Sequence, residues 1–197
     1  YGISQLINFA HGEVVMIGAM VAFTVITSLA AAGMPPLLVV MLGVACAVPV
    51  CMAVGYAMER LAYRPLRRAP RLAPLITAIG VSIILQYLAV MVWTRNVIAF
   101  PQIIRIETYH VAGATITNVQ LAILLLCFAI MAGLAFLVYR TRLGTAMRAT
   151  AQNPQVAGLM GVDVNRVIAG TFIIGAGLAA VAGVMVGSTV RTTRNGP

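Results

Sequence analysis

Lysine is absent from this sequence, and only four of its 197 residues are acidic. Charged residues make up 9% of the chain and hydrophobic ones 61%, with a mean hydropathy of +1.01. Soluble domains carry about 25% charged residues, so a soluble globular domain is excluded and lipid is the expected solvent. All thirteen basic residues are arginine, giving a formal charge of +9. On a soluble fold that balance would point to nucleic acid. Here the arginines fall in connectors between apolar runs, where positive charge sets membrane orientation, and no basic face forms. A nucleic-acid partner is therefore not expected.

Cysteine is scarce as well. Cys46, Cys51 and Cys127 lie inside apolar runs, none in a C-x-x-C pair and none beside a His or carboxylate at ligand spacing. They read as small packing residues, with no metal site or disulfide framework. The sequence lacks paired carboxylates, a Ser/His/Asp set and a G-x-x-x-x-G-K-[ST] loop, so it offers neither catalytic chemistry nor a nucleotide site of its own. It opens on Tyr1 with no charged n-region or cleavage site, which reads as a start within a longer protein rather than a signal peptide.

Long apolar runs are what the sequence does have. A bilayer span needs roughly 20 mainly apolar residues. Five stretches meet this length: Val14 to Ala32, Leu37 to Met58, Leu75 to Trp93, Val119 to Tyr139 and Val167 to Val190. The expected fold is all-α, a polytopic membrane helical bundle of about five transmembrane helices forming one domain over 1–197. Connector 59–72 holds five arginines against one Glu, and connector 140–166 holds four against Asp163. The intervening connector, 94–118, holds Arg95, Arg105 and Glu107. Positive connectors stay in the cytoplasm, so 59–72 and 140–166 are expected inside and 94–118 outside. In the outer connector, Ile104, Ile106 and Thr108 alternate with Arg105, Glu107 and Tyr109. Gly113 is placed to turn a short hairpin before "ATIT"; a plain surface loop is the equal alternative.

Small residues recur every fourth position in two spans. Gly43, Ala47, Cys51 and Gly55 form one stripe; Thr171, Gly175, Ala179, Gly183 and Gly187 form the other. That spacing lines one helix face, and small residues there let membrane helices approach closely. Both stripes are expected to be packing seams, with a kink at Pro49.

Few polar residues interrupt the apolar runs. Asn8, His11 and Glu13 cluster where the first run begins. One reading is a helix start: Asn8 caps it, and Glu13 favours the positive end of the helix dipole. The other is a break at membrane depth whose polar groups touch a transported solute, as discontinuous helices do in transporters. Charge position puts residue 8 near the cytoplasmic edge. In the third span, Thr77, Ser82 and Gln86 interrupt the apolar run, with Ser82 and Gln86 sharing a face. They serve either as interhelical hydrogen bonds or as pore lining, because Gln86 is costly to leave unpaired in hydrocarbon.

Within 140–166, Asn153 followed by Pro154 signals a helix start, and Gly161 suits a left-handed end. A short helix of about two turns is expected there, lying on lipid headgroups or docking into a cytoplasmic partner. Ala157 and Gly161 match the Ala-x-x-x-Gly spacing of the coupling loop in permease subunits of bacterial ABC importers. Gln155 and Val156 stand where Glu and Ala begin that motif.

Taken in order, "INFAHGEVVMIGAMVAF", "ERLAYRPLRRAPRLAPLITAIGVSIILQ" and "RLGTAMRATAQNPQVAGLMGVDVNRVIAGTFIIGAGLAAVAGVM" closely resemble the branched-chain amino acid ABC importer permease, the first of its two membrane subunits. The resemblance covers about residues 3 to 187. Family members have more than five spans, with helix before the position of Tyr1 and several helices after Gly187. The tail "STVRTTRNGP" departs from that pattern, so the sequence reads as a fragment. The resemblance implies a multi-pass subunit of the bacterial inner membrane, embedded in lipid and importing branched-chain amino acids. It would work with a second permease subunit, two cytoplasmic ATPase subunits that use ATP, and a periplasmic substrate-binding protein. Asn153, Pro154, Ala157 and Gly161 would form the ATPase-contact helix, and this chain would bind no cofactor. The same machinery carrying urea or short amides is the neighbouring reading. A non-conducting membrane assembly subunit is the rival from another class, and an intramembrane enzyme is disfavoured by the missing catalytic set.

Overall fold

The computed structural model of the chain describes residues 11–68, 73–93, 108–111 and 114–194. The apolar runs become helices: α1 (His11–Ala31), α2 (Pro36–Met58), α3 (Ala73–Val92), α4 (Asn118–Arg140) and α7 (Val164–Arg194). Five helices are thus long and apolar enough to cross a membrane. α1 and α2 join through a tight turn in which Gly33 takes φ +74°, the left-handed region that glycine enters without strain. Pro36 sits in the first turn of α2, where its missing N–H costs nothing. Past Met58 the chain widens into one π-helical turn, Glu59–Tyr63, then a 3₁₀ turn, Pro65–Arg68.

Between α3 and α4, β1 (Thr108–Val111) pairs antiparallel with β2 (Ala114–Thr117), Thr108 opposite Thr117. The hairpin expected before "ATIT" therefore forms. Residues 104–107 of the expected alternation and Gly113 lie outside the described residues. A capping box at Thr117 and Gln120 starts α4.

The core is a triangle of α1, α2 and α7. Its sides are held by Val14, Ile17, Ala22 and Ile26 of α1, Val39, Ala47 and Cys51 of α2, and Ala176, Ala179, Ala180 and Val184 of α7. The α2 stripe Gly43, Ala47, Cys51 and Gly55 is wholly buried. A Cβ on Gly43 would lie 2.7 Å from Ile26, and one on Gly55 2.6 Å from Ala176. On α1, a Cβ on Gly18 would lie 2.7 Å from the Ala180 backbone. The α7 stripe departs from the four-residue reading. Gly183 presses on the backbone of Val15 and Ala19, but Gly175 faces open space. The seam runs instead through Ala176, Ala179, Ala180, Gly183 and Val184. Spacing of three and four follows the 3.6-residue turn, so a strict step of four drifts off the interface.

At the arginine-rich end the 140–166 connector folds into two helices, of which α5 (Arg142–Gln152) gave no separate signal in the sequence. α5 turns back on α4 so closely that a Cβ on Gly144 would press on the Leu137 and Val138 carbonyls. Arg148 donates to the Val138 carbonyl and lies over the Tyr139 ring at 5.6 Å, occupying an otherwise free helix-end acceptor.

α6 (Pro154–Leu159) follows. Asn153 accepts from the N–H groups of Gln155 (3.0 Å) and Val156 (3.2 Å). At the other end Gly161 takes φ +85°. The Val162 N–H then reaches the Ala157 carbonyl and the Gly161 N–H the Gly158 carbonyl, a double closure that ends a helix sharply.

Candidate functional site

The polar residues of the first and third spans meet. Ser82 Oγ donates to Glu13 Oε1 at 2.8 Å, and Gln86 Nε2 donates to the same oxygen at 2.6 Å. Eleven residues further along both helices, Trp93 Nε1 donates to Thr24 Oγ1 at 2.7 Å. Each of the Glu13–Ser82 and Thr24–Trp93 pairs is separated by 69 positions, so α1 and α3 run parallel in one register.

That register sets the depth of Glu13. Ser82 lies nine residues into α3, about 13 Å from its start. On the opposite side, Gly18 faces Cys51 and Ile26 faces Gly43, an antiparallel register that puts Glu13 level with Tyr56. The helical run through Tyr63 continues roughly 10 Å beyond that level. Glu13 therefore sits about two turns inward from the ends of both neighbouring helical runs, at the level of Tyr56, whose hydroxyl accepts from Arg60 of the arginine-rich connector at 2.6 Å.

The α3 face toward α1 carries Ala78, Ser82, Leu85, Gln86 and Ala89, with Trp93 just past its end. Ala78, Leu85 and Ala89 are buried, Ser82 is half-buried and Gln86 is exposed. Elsewhere on α3, Ile76, Ile84 and Met91 are exposed and apolar, and Val81 packs in part on the core. Thr77 does not join the cluster; its hydroxyl donates to the Ala73 carbonyl of its own helix at 2.9 Å. His11 is exposed at the start of α1, and Asn8 lies outside the described residues.

A second polar region joins the two arginine-rich connectors. A cavity of about 310 Å³ is lined by Tyr56, Glu59, Arg64, Asp163, Asn165, Arg166 and Ala169. Asp163 caps α7, accepting from the Asn165 and Arg166 N–H groups at 3.1 Å, and pairs with Arg166 Nε at 3.0 Å. Glu59 is 2% exposed. The Tyr63 and Phe172 rings stack tilted at 5.3 Å beside it, tying the π-helical turn to α7. The lining charges balance in sign, which suits a junction between connectors.

Thr24, Trp93 and Glu59 escaped the sequence reading. Trp93 ends its span, where a single Trp is ordinary, and only the shared 69-residue separation reveals its partner. Glu59 reads as a connector charge until the π-helical turn carries it inward. Among the described residues, no three His, Cys, Asp or Glu side chains gather as metal ligands.

A family model described as the branched-chain amino acid transport system permease component matches residues 1–195. The high-affinity branched-chain amino acid transport system permease proteins BraD of Pseudomonas aeruginosa and LivH of Escherichia coli are 43% and 42% identical to the chain. Each match covers 95% of this chain and 62% of the relative, so the chain spans less than two thirds of the length of these curated relatives. A probable branched-chain amino acid transport permease protein of Methanocaldococcus jannaschii is 28% identical over 89% of the chain and 55% of its own length. No solved structure matches. Sequence likeness running nearly end to end, on five apolar helices that make a multi-pass membrane protein, leads to one conclusion: the chain belongs to the branched-chain amino acid transport system permease-component family.

Proposed function

We propose that this chain is a transmembrane permease subunit of an ATP-driven importer of branched-chain amino acids, with its substrate path along the seam between α1 and α3. The observation that carries the path is Glu13, held inside the span by Ser82 and Gln86. An ionisable group at that depth is costly unless it is used. A permease needs such a group to replace the water around a zwitterion. Thr77 and His11 border this seam, as the third-span side chain nearer the start of α3 and the residue two positions before Glu13.

The arginine-rich end is the cytoplasmic end by the positive-inside rule, in the bacterial inner membrane. There α6 presents Val156, Leu159 and Met160 to solvent, the last two 87% and 81% exposed. Closed at both ends by Asn153 and Gly161, it is a rigid apolar knob suited to one of two partner ATPase subunits, which use the ATP. A second permease subunit and a periplasmic binding protein complete the assembly.

The test uses the full-length protein co-purified with its partner subunits in proteoliposomes. ATP-dependent leucine uptake is expected, and Leu159→Asp with Met160→Asp should release the ATPase while the permease still inserts. Uptake of urea or acetamide in place of leucine would move the path to that solute class. A complex that carries none of these would be an assembly unit.

A further inference from the structure

Glu13 is held by two neutral donors on a single oxygen, and both donors come from a helix with few other attachments to the core. We propose that Glu13 is the ammonium-binding group of the path and that the incoming ammonium displaces Ser82 and Gln86, so that the substrate itself releases α3 from α1. The proposal rests on the transport reading above and adds to it the ligand group at Glu13 and the element that moves.

The chemistry favours exchange. A carboxylate only accepts hydrogen bonds, and an ammonium offers three donors and a charge. Charge-assisted bonds are roughly twice as strong as neutral ones, so the cation outcompetes the hydroxyl and the amide. Neither displaced donor is stranded, because the carboxylate of the same zwitterion accepts from both. Glu13, Ser82 and Gln86 each then keep a partner with the site empty and with it filled, which limits the cost of polar groups in hydrocarbon.

The packing decides which helix yields. α1 is fixed by close backbone approach at Gly18 and at Gly183 of α7. α3 buries only Ala78, Leu85 and Ala89 among its well-described side chains. Its second polar tie, Trp93 to Thr24, lies about 16 Å further along. It uses no carboxylate and gives an ammonium nothing to displace. α3 therefore swings about the Trp93 end, opening beside Ala78 and Ser82. The π-helical turn Glu59–Tyr63, near the foot of α3, is the kind of irregular helical turn that absorbs such movement.

The test is carried out on the full-length complex stripped of other reactive cysteines, with Ala78→Cys or Ala89→Cys. Saturating leucine should raise the reaction of Cys at 78 with a water-soluble maleimide by about tenfold and leave position 89 unchanged. 4-Methylpentanoate, which is leucine without its amine, should change neither, and Glu13→Gln should remove the response to leucine. Hydrogen–deuterium exchange on the unmodified complex gives a readout without any cysteine: leucine should speed exchange over 78–86 and not over 89–93. A complex that imports leucine with no change at 78–86, or that responds equally to 4-methylpentanoate, overturns the latch. A complex that imports no leucine overturns the transport reading instead.

Discussion

Two interfaces of α1 are built on opposite terms. Toward α2 and α7, α1 packs closely at Gly18, at Gly43 of α2 and at Gly183 of α7, and among the described residues the polar contact across these faces is a weak one from Cys51 Sγ to the Val14 carbonyl at 3.6 Å. Toward α3, the contact is made by a carboxylate, a hydroxyl, an amide and an indole. Lipid tails are as apolar as leucine, so membrane helices associate by close packing or by hydrogen bonds. The close-packed side is insensitive to water and ligand. The hydrogen-bonded side consists of bonds that a polar solute can replace. One helix thus serves as a fixed wall on one side and an exchangeable surface on the other.

The sharpest way to break this contrast is to crowd the packed side. Gly55→Leu would drive a side chain into Ala176 and the Phe172 backbone, where a Cβ alone already lies at 2.6 and 3.0 Å. Overpacking a tight interface costs about 1–3 kcal/mol or more. We expect the yield of monodisperse protein on detergent gel filtration to fall to roughly a tenth of wild type. Equal yield would show that the triangle is not the rigid part.

The polar side should respond in function instead of folding. Glu13→Ala leaves Ser82 and Gln86 without their shared acceptor and removes the charge. Hydrogen bonds to charged groups matter enough that leucine uptake should fall roughly 10- to 100-fold. Complex yield should stay near wild type, because α1 keeps its packing on α2 and α7. If uptake and yield fall together, Glu13 is a structural residue and the contrast collapses.

A smaller effect is expected at α6. Gly161→Ala forces a side chain into φ +85°, a conformation costing of order 1 kcal/mol for a non-glycine residue. The helix end should fray, lowering leucine-stimulated ATP hydrolysis several-fold while uptake falls in parallel. ATP hydrolysis that becomes insensitive to Gly161 would detach α6 from coupling.

How much of this was legible beforehand depended on the kind of signal. The five spans were plain because hydrocarbon thickness sets a length no connector can imitate. α6 was legible in detail, since Asn153, Pro154 and Gly161 act on backbone a few residues away. The pairing of Glu13 with Ser82 and Gln86 was not, because nothing local links positions 69 and 73 residues apart; each appeared only as a polar residue out of place. α5 was missed for a different reason. Its hydrophobicity is low and it carries Arg142, Arg148 and two threonines; Thr141 caps its start by accepting from the Gly144 N–H, and Gly144 and Arg148 hold it against the end of α4. The α7 stripe was misplaced by geometry alone, since four residues overshoot one helical turn.

That misplacement gives the finest test. Gly175 and Gly183 look alike in the sequence, both in one four-residue stripe, yet a Cβ on Gly183 would press on the Val15 and Ala19 backbone and a Cβ on Gly175 would meet nothing within 4 Å. Gly175→Ala adds a methyl group to open space and improves helix propensity by up to about 1 kcal/mol. Its thermal midpoint in detergent should equal or slightly exceed wild type. Gly183→Ala gains the same propensity but must push α1 and α7 apart, so its midpoint should drop by several degrees. Because the two substitutions are chemically identical and lie two turns apart on one helix, propensity, expression and detergent effects cancel between them. What remains is the distance to α1, and an equal drop at both positions would place the seam back on the four-residue stripe.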